Sequence, residues 1–235
     1  MTETQSANQI STLNEKPLHA ALKAWYARPG DCLEVQVDGF IIDIVRDGLL
    51  IEIQTTSLAS LKRKLLALAD DHRIRLVYPI PREKWIIKLA EDGHSAPNRR
   101  KSPKRGKIED VFGELVSFPK LLAHPNFCLD ALLIQEEEIR RHDGTRAWRR
   151  RGWVTQERRL LQVVDQRRFC TPADMGELLP PALVEPFTTS ELATAIVRPR
   201  RLAQRMAYCL REMGVIEAVG KQGNAILYAR NVEPG

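Results

Sequence analysis

The chain has 235 residues, 43% of them apolar and 28% charged, with a formal net charge of +6. That is enough for one large folded domain or two small ones, and it argues against a disordered chain. No apolar run approaches the roughly 20 residues that span a bilayer, and the polar start MTETQSANQISTLNEK lacks the layout of a signal peptide, so a cytoplasmic protein without membrane contact is expected.

Residues 1–12 read as a disordered tail. Over 13–26 the apolar positions Leu18, Ala21, Leu22 and Trp25 recur at helical spacing, and Arg28-Pro29-Gly30 ends the helix. Residues 32–37 alternate as a strand, and Asp38-Gly39 turns them into a second strand over 40–46. Asp47-Gly48, a strong hairpin signal, returns the chain along 49–55. With those two residues as the loop, counting sets Asp43 opposite Glu52. Side chains alternate across a strand, so Ile42, Ile44, Ile51 and Ile53 share a core face. Asp43, Glu52 and Gln54 share the other with Ile41, Val45 and Leu50. Directly opposed carboxylates, with Cβ atoms roughly 5 Å apart, repel each other. A divalent cation relieves that repulsion: two carboxylates and a strand carbonyl make a hard oxygen site suited to Mg²⁺ or Mn²⁺. Gln54 would orient a water or a phosphate there, although an amide is neither a cation nor a base. The competing reading is a small α/β domain whose two acids face solvent.

Ser57 caps a helix running to about residue 69, with Leu58, Leu61, Leu65 and Leu68 inward and Lys62, Arg63 and Lys64 outward. Lys62 or Lys64 is placed to supply the cation that Gln54 cannot. Residues 74–80 form a proline-bounded interior strand, and 85–89 another. The basic, Gly/Pro/Ser-rich stretch 91–107 reads as a linker or long loop. Residues 108–180 form a mixed basic region, with a helix over 108–123 and a strand over 127–135. The acidic run Glu136-Glu137-Glu138 pairs at the surface with nearby arginines. Arg149, Arg150 and Arg151 lie between Trp148 and Trp153, an arrangement suited to stacking on bases, and an arginine-studded helix covers 155–169. Arginine concentrates from Arg140 to Arg211, which points to a polyanionic partner, with a solvated charged surface as the plainer alternative.

In residues 181–235, Thr188-x-x-Glu191 is a capping box opening a short helix over 189–195. Pro199 starts a second helix, which stops at Gly214, and a hairpin follows over 215–228. This order, in residues 186–230, resembles a winged-helix domain. The resemblance implies that the second helix enters a DNA groove, with Arg198, Arg200, Arg201 and Arg205 on it and Lys221 at the wing tip. Likewise the order helix, three strands, helix, strand over 13–90 resembles the PD-(D/E)xK, restriction-endonuclease-like superfamily. It carries Asp43 in the second strand and Glu52-x-Gln54 in the third, a Glu-x-Gln variant. The resemblance implies that Asp43 and Glu52 bind the catalytic metal, that Gln54 stands where Lys is usual, and that Glu15 matches an acid on the first helix.

The fold expected is therefore α/β, a restriction-endonuclease-like mixed sheet, followed by an α+β half ending in a winged helix. The function expected is a Mg²⁺- or Mn²⁺-dependent nuclease acting on DNA, with a homodimer left open. Two alternatives stand beside it: an inactive nuclease-like DNA-binding or regulatory protein, and a winged-helix protein–protein adaptor. Cys32, Cys128, Cys170 and Cys209 lie far apart with no C-x-x-C pairing, which predicts free thiols and no zinc site.

Overall fold

Two Asp-Gly turns set the first part of the fold. α1 (Pro17–Tyr26) leads into β1 (Cys32–Val37), β2 (Phe40–Arg46) and β3 (Leu49–Ile53). At each turn both residues take positive φ, 48° and 80° at Asp38-Gly39 and 47° and 73° at Asp47-Gly48. That type I′ geometry matches strand twist, and glycine adopts it without a side-chain clash. A 3-10 turn (Leu58–Leu61), capped by the Ser57 hydroxyl, runs into α2 (Lys62–Ala69). β4 (Arg73–Lys88) then pairs in parallel with β3. The computed structural model describes residues 16–89, 98–143 and 152–231; the tail expected at 1–12 lies outside them.

Beyond β3 the strands are longer than the sequence signals. The segments 74–80 and 85–89 are one 16-residue strand, β4, with a register shift between Pro81 and Glu83, the kind of irregularity that admits proline into a sheet. Its first half pairs with β3 and its second half, on the same edge, with β5 (Asn98–Lys101). Along its other edge it pairs in parallel with β6 (Phe127–His142), and β6 runs antiparallel to β7 (Trp153–Phe169). Among the described residues this gives a seven-stranded mixed sheet ordered β1-β2-β3-β4-β6-β7, with β5 beside β4. The stretch 91–107 therefore does not separate two sheets, because β4 and β6 on either side of it are neighbours and β5 lies within it.

Three expectations are corrected here. The arginine-rich helix over 155–169 is strand β7, whose period-two signal is blurred by register shifts against β6. The helix over 108–123 breaks into a 3-10 turn (Ile108–Val111), the single turn α3 (Phe112–Leu115) and another 3-10 turn (Pro119–Ala123); Gly113 and Pro119 are poor helix residues. The acidic run lies inside β6. Glu136 and Glu138 are buried, held by Lys84 at 3.0 and 2.6 Å, by Arg158 at 2.6 Å and by Arg140 at 2.7 Å.

Apolar side chains cover both faces of the sheet. Leu18, Leu22 and Tyr26 of α1 pack on Ile44, Ile51, Ile53 and Val77. The other face carries α2, α3 and the C-terminal elements α4 (Pro172–Gly176), α5 (Thr189–Ile196) and α6 (Arg200–Glu212). Trp25, expected in the buried stripe, is 48% exposed, and Tyr26 points inward instead. The Tyr26 hydroxyl donates to the fully buried Asp130, which also accepts from Gln166 and from Arg168 Nε, each at 2.7 Å. A buried acid needs such donors, and these fasten α1 to β6 and β7.

The capping box at Thr188 and Glu191 forms, and β8 (Ile216–Gln222) and β9 (Ala225–Arg230) complete a hairpin after α6. The expected free thiols are corrected at one pair: β6 and β7 bring Cys128 and Cys170 together as a disulfide, Cα atoms 4.2 Å apart. Cys32 and Cys209 are free. Among the described residues no helix is long and apolar enough to cross a membrane.

Glu138 tests the buried network. Burial pushes its carboxyl up, but Lys84 and Arg140 outweigh burial and hold it at about 2, below its ordinary value of 4.5. Such a group stabilises the fold above the unfolded value and loses that contribution as pH falls through the folded one. Glu138→Gln should lower the melting temperature at neutral pH by several degrees. The gap to the parent should close below about pH 3, read by thermal circular dichroism.

Candidate functional site

β2 and β3 pair from Arg46↔Leu49 to Ile44↔Ile51 and then part. Asp43 and Glu52 stand next on the two strands, at the fork. Asp43 Oδ2 accepts the Ile53 amide at 2.7 Å and lies 3.2 Å from Nε2 of His19 on α1. Glu52 Oε2 lies 2.6 Å from Nζ of Lys64 on α2, and the same ammonium donates to the Ile41 carbonyl at 2.5 Å. The Asp43 backbone also donates a hydrogen bond to the Glu52 carboxylate. Thus Asp43, Glu52 and Lys64 converge from β2, β3 and α2.

The fork follows from a change of phase in β2. Ile42 joins Leu50 and the α2 leucines in one core, while Ile44, Ile51 and Ile53 join the core under α1. The single core face expected from strict alternation is corrected by that shift. Of the residues expected on the acids' face, Leu50 is buried and Val45 packs beside it, while Ile41 is 61% exposed. Across the sheet, between the pairs Leu33↔Ile44 and Val35↔Ile42, Glu34 of β1 sits at φ 53°. A left-handed conformation costs a non-glycine residue about 1 kcal/mol, and Lys23 Nζ bonds the Glu34 carboxylate at 2.7 Å.

Burial and the neighbouring charge of Asp43 push the Glu52 carboxyl up to about 7, against the pull of Lys64. His19 and Lys64 each reach one of the two acids, and the pair of carboxylates supplies the hard oxygen donors that a divalent cation takes. Among the described residues no three His, Cys, Asp or Glu side chains form a metal-binding group. Further ligands to such an ion would be main-chain carbonyls, water or substrate oxygens.

The other expected residues are placed differently. Lys62 is exposed, whereas Lys64, expected to face outward with it, is 13% exposed against Glu52. Gln54 donates to Ser60 Oγ at 2.9 Å and accepts from the Thr56 amide and hydroxyl at 3.3 and 3.0 Å; it shapes the turn into α2 and does not meet the carboxylates. Glu15, Trp148, Arg149, Arg150 and Arg151 lie outside the described residues. Trp153 stacks edge-on with His142, with Lys88 Nζ 4.2 Å from its ring centre.

The C-terminal arginines divide into two groups. Arg198 bonds Asp110 at 2.9 Å and the Arg105 carbonyl at 2.8 Å, and Arg205 bonds the Gly113 carbonyl at 2.7 Å. Both fasten the C-terminal elements to the sheet domain, which corrects their expected presentation to DNA. Arg200, Arg201 and Lys221 are exposed. Arg158 was not singled out by sequence reasoning, yet it donates to the Thr55 carbonyl at 2.7 Å, just beyond Glu52. The period-two spacing of Glu136 and Glu138 was the one sequence signal for its acidic partner in a strand.

Lys64→Ala leaves Glu52 buried without its cation and should cost about 3 kcal/mol at about pH 8. The cost should shrink at about pH 5, where Glu52 holds a proton. Lys62→Ala should stay within about 0.5 kcal/mol. Urea unfolding at the two pH values checks both.

No solved structure matches the chain. A protein of Treponema pallidum (strain Nichols), titled "Uncharacterized protein", is 34% identical over 228 residues, which cover 96% of this chain and 89% of that one. The family described as "Domain of unknown function (DUF8091)" matches residues 16–170, from the N-terminal edge of α1 to just past β7 and including Asp43, Glu52 and Lys64, and the chain belongs to that family.

Proposed function

We propose that the protein is a metal-dependent nuclease of the PD-(D/E)xK, restriction-endonuclease-like type that cuts DNA, with its C-terminal elements acting as a winged-helix module that positions the substrate. The observation that carries this reading is the convergence of Asp43, Glu52 and Lys64 at the fork between β2 and β3. The strand directions agree with it: β1, β2 and β3 are antiparallel neighbours and β4 lies parallel to β3. Lys64 fills from α2 the role that Gln54 cannot.

Asp43 and Glu52 would hold Mg²⁺ or Mn²⁺, which when bound polarises a phosphoryl oxygen and makes water a nucleophile. The Ile53 amide and His19 fix the orientation of the Asp43 carboxylate. Lys64 has three N–H donors, two of them directed to Glu52 and the Ile41 carbonyl. The third is available to a non-bridging phosphate oxygen, where it would stabilise the charge that develops during displacement. The buried flank of the site keeps that interaction strong.

A second reading, an inactive nuclease-like scaffold in a DNA-binding or regulatory protein, draws on Gln54 and on the internal partners that both acids already have. One assay separates the two. With plasmid and oligonucleotide DNA in Mg²⁺ or Mn²⁺, the parent should cleave. Asp43→Ala, Glu52→Ala and Lys64→Ala should each cut the rate by at least about 100-fold, while Gln54→Ala should stay within about fivefold. Absence of metal-dependent cleavage, or cleavage indifferent to the first two substitutions, would sink the nuclease reading.

A further inference from the structure

A groove of about 1190 Å³ opens where β3 ends and β4 and β6 continue. Tyr78, Ile80, Pro81 and Ile86 line it, with Lys84, Arg140 and Arg158 on the sheet side. Arg100, in β5, and Lys104, just after it, are both exposed, and Arg198 and Pro199 also line the groove. Cationic side chains outnumber the lining acids, Asp110 and Glu138, and still do so when the buried Glu136 beneath them is included. The groove adjoins the candidate site. Arg158 bonds the Thr55 carbonyl, and Tyr78 follows Val77, whose carbonyl accepts the Gln54 amide at 3.0 Å.

We propose that this groove binds single-stranded nucleic acid and leads it to Asp43, Glu52 and Lys64. The chemistry fits a strand with its bases exposed: an apolar floor with one aromatic ring takes base faces, and a cationic rim takes phosphates. A duplex hides its bases and needs an open cationic face, which the exposed Arg200, Arg201 and Lys221 would supply. The buried glutamates hold Lys84, Arg140 and Arg158 in place, so the rim is ordered before a strand arrives. The destination of the strand rests on the nuclease reading; the binding itself does not.

The test uses the full chain in EDTA, so that binding and cleavage fail separately. Fluorescence anisotropy is measured with a labelled oligothymidine of roughly 15 nucleotides and with a duplex of equal length. Arg100→Glu/Lys104→Glu, at two exposed positions, should weaken oligothymidine binding at least about tenfold and flatten the log–log salt slope by about 1.4. Lys16→Glu/Arg28→Glu, at exposed positions flanking α1 on the other face of the sheet, should leave it within about twofold, with circular dichroism confirming the fold of both. The proposal is overturned by no binding at low salt, by an unchanged affinity in the first variant, or by a loss confined to the second. Duplex cleavage without oligothymidine binding overturns it too and leaves the nuclease reading intact, whereas groove-dependent binding without any cleavage does the reverse.

Discussion

Three adjacent strands, β3, β4 and β6, run in one direction, and that shared direction decides where chemistry can sit. Beyond the carboxyl ends of parallel strands a sheet leaves a crevice in which side chains and loop atoms converge. Here β3 stops at Ile53 while β4 and, beyond it, β6 run on. The loop after Glu52 therefore faces the flank of two longer strands. Register, more than closeness in sequence, brings Glu52, Thr55, Tyr78, Lys84 and Glu138 to one side of the molecule. Arg158, arriving from β7, ties this set together by bonding both the Thr55 carbonyl and Glu136.

At the fork itself two carboxylates stand close together, each beside a basic side chain. A buried ion pair adds little net stability, because desolvation offsets most of the attraction. Glu52 and Lys64 form such a pair, and Asp43 beside them brings a second carboxylate, held by His19 and the Ile53 amide. The backbone carries a cost in the same place, with Glu34 at positive φ directly across from Asp43. Unfavourable local arrangements that surrounding packing holds in place gather at functional sites. Here the strained Glu34 backbone and the buried Glu52–Lys64 pair meet in one part of the sheet.

The fork was legible because its determinants are local. Asp47-Gly48 fixes a two-residue turn, and counting outward from it places Asp43 and Glu52 on facing strands. Ser57 and Thr188 announce their helices through capping chemistry that needs only a few neighbouring residues. Lys62 and Lys64 were both in range, but the choice between them depends on where α2 packs, which no local rule supplies. The failures share that cause. Strand β7 hides its alternation behind register shifts dictated by β6. Glu136 and Glu138 look like a surface run until Lys84, Arg140 and Arg158 are known to surround them. Cys128 and Cys170 become partners only when two long strands set their ends side by side, 42 residues apart in sequence.

The C-terminal helices show how one residue type serves two ends. α6 buries Ala203, Met206, Ala207, Cys209 and Leu210, and Arg205 fastens it to the Gly113 carbonyl, so one face of this helix belongs to the core. Its first turn holds Arg200 and Arg201 and no acid. Cations there oppose the helix macrodipole by a few tenths of a kcal/mol each. In α5, a few residues earlier, the chain places Glu191 in the first turn and lets it close a capping box. The contrast between neighbouring helices argues against helix stability as the reason for the two arginines. A polyanion near the start of α6 would turn the same charges from a local cost into a favourable contact. In the proposed function that contact would fall at this end of the helix, while its opposite face stays committed to packing.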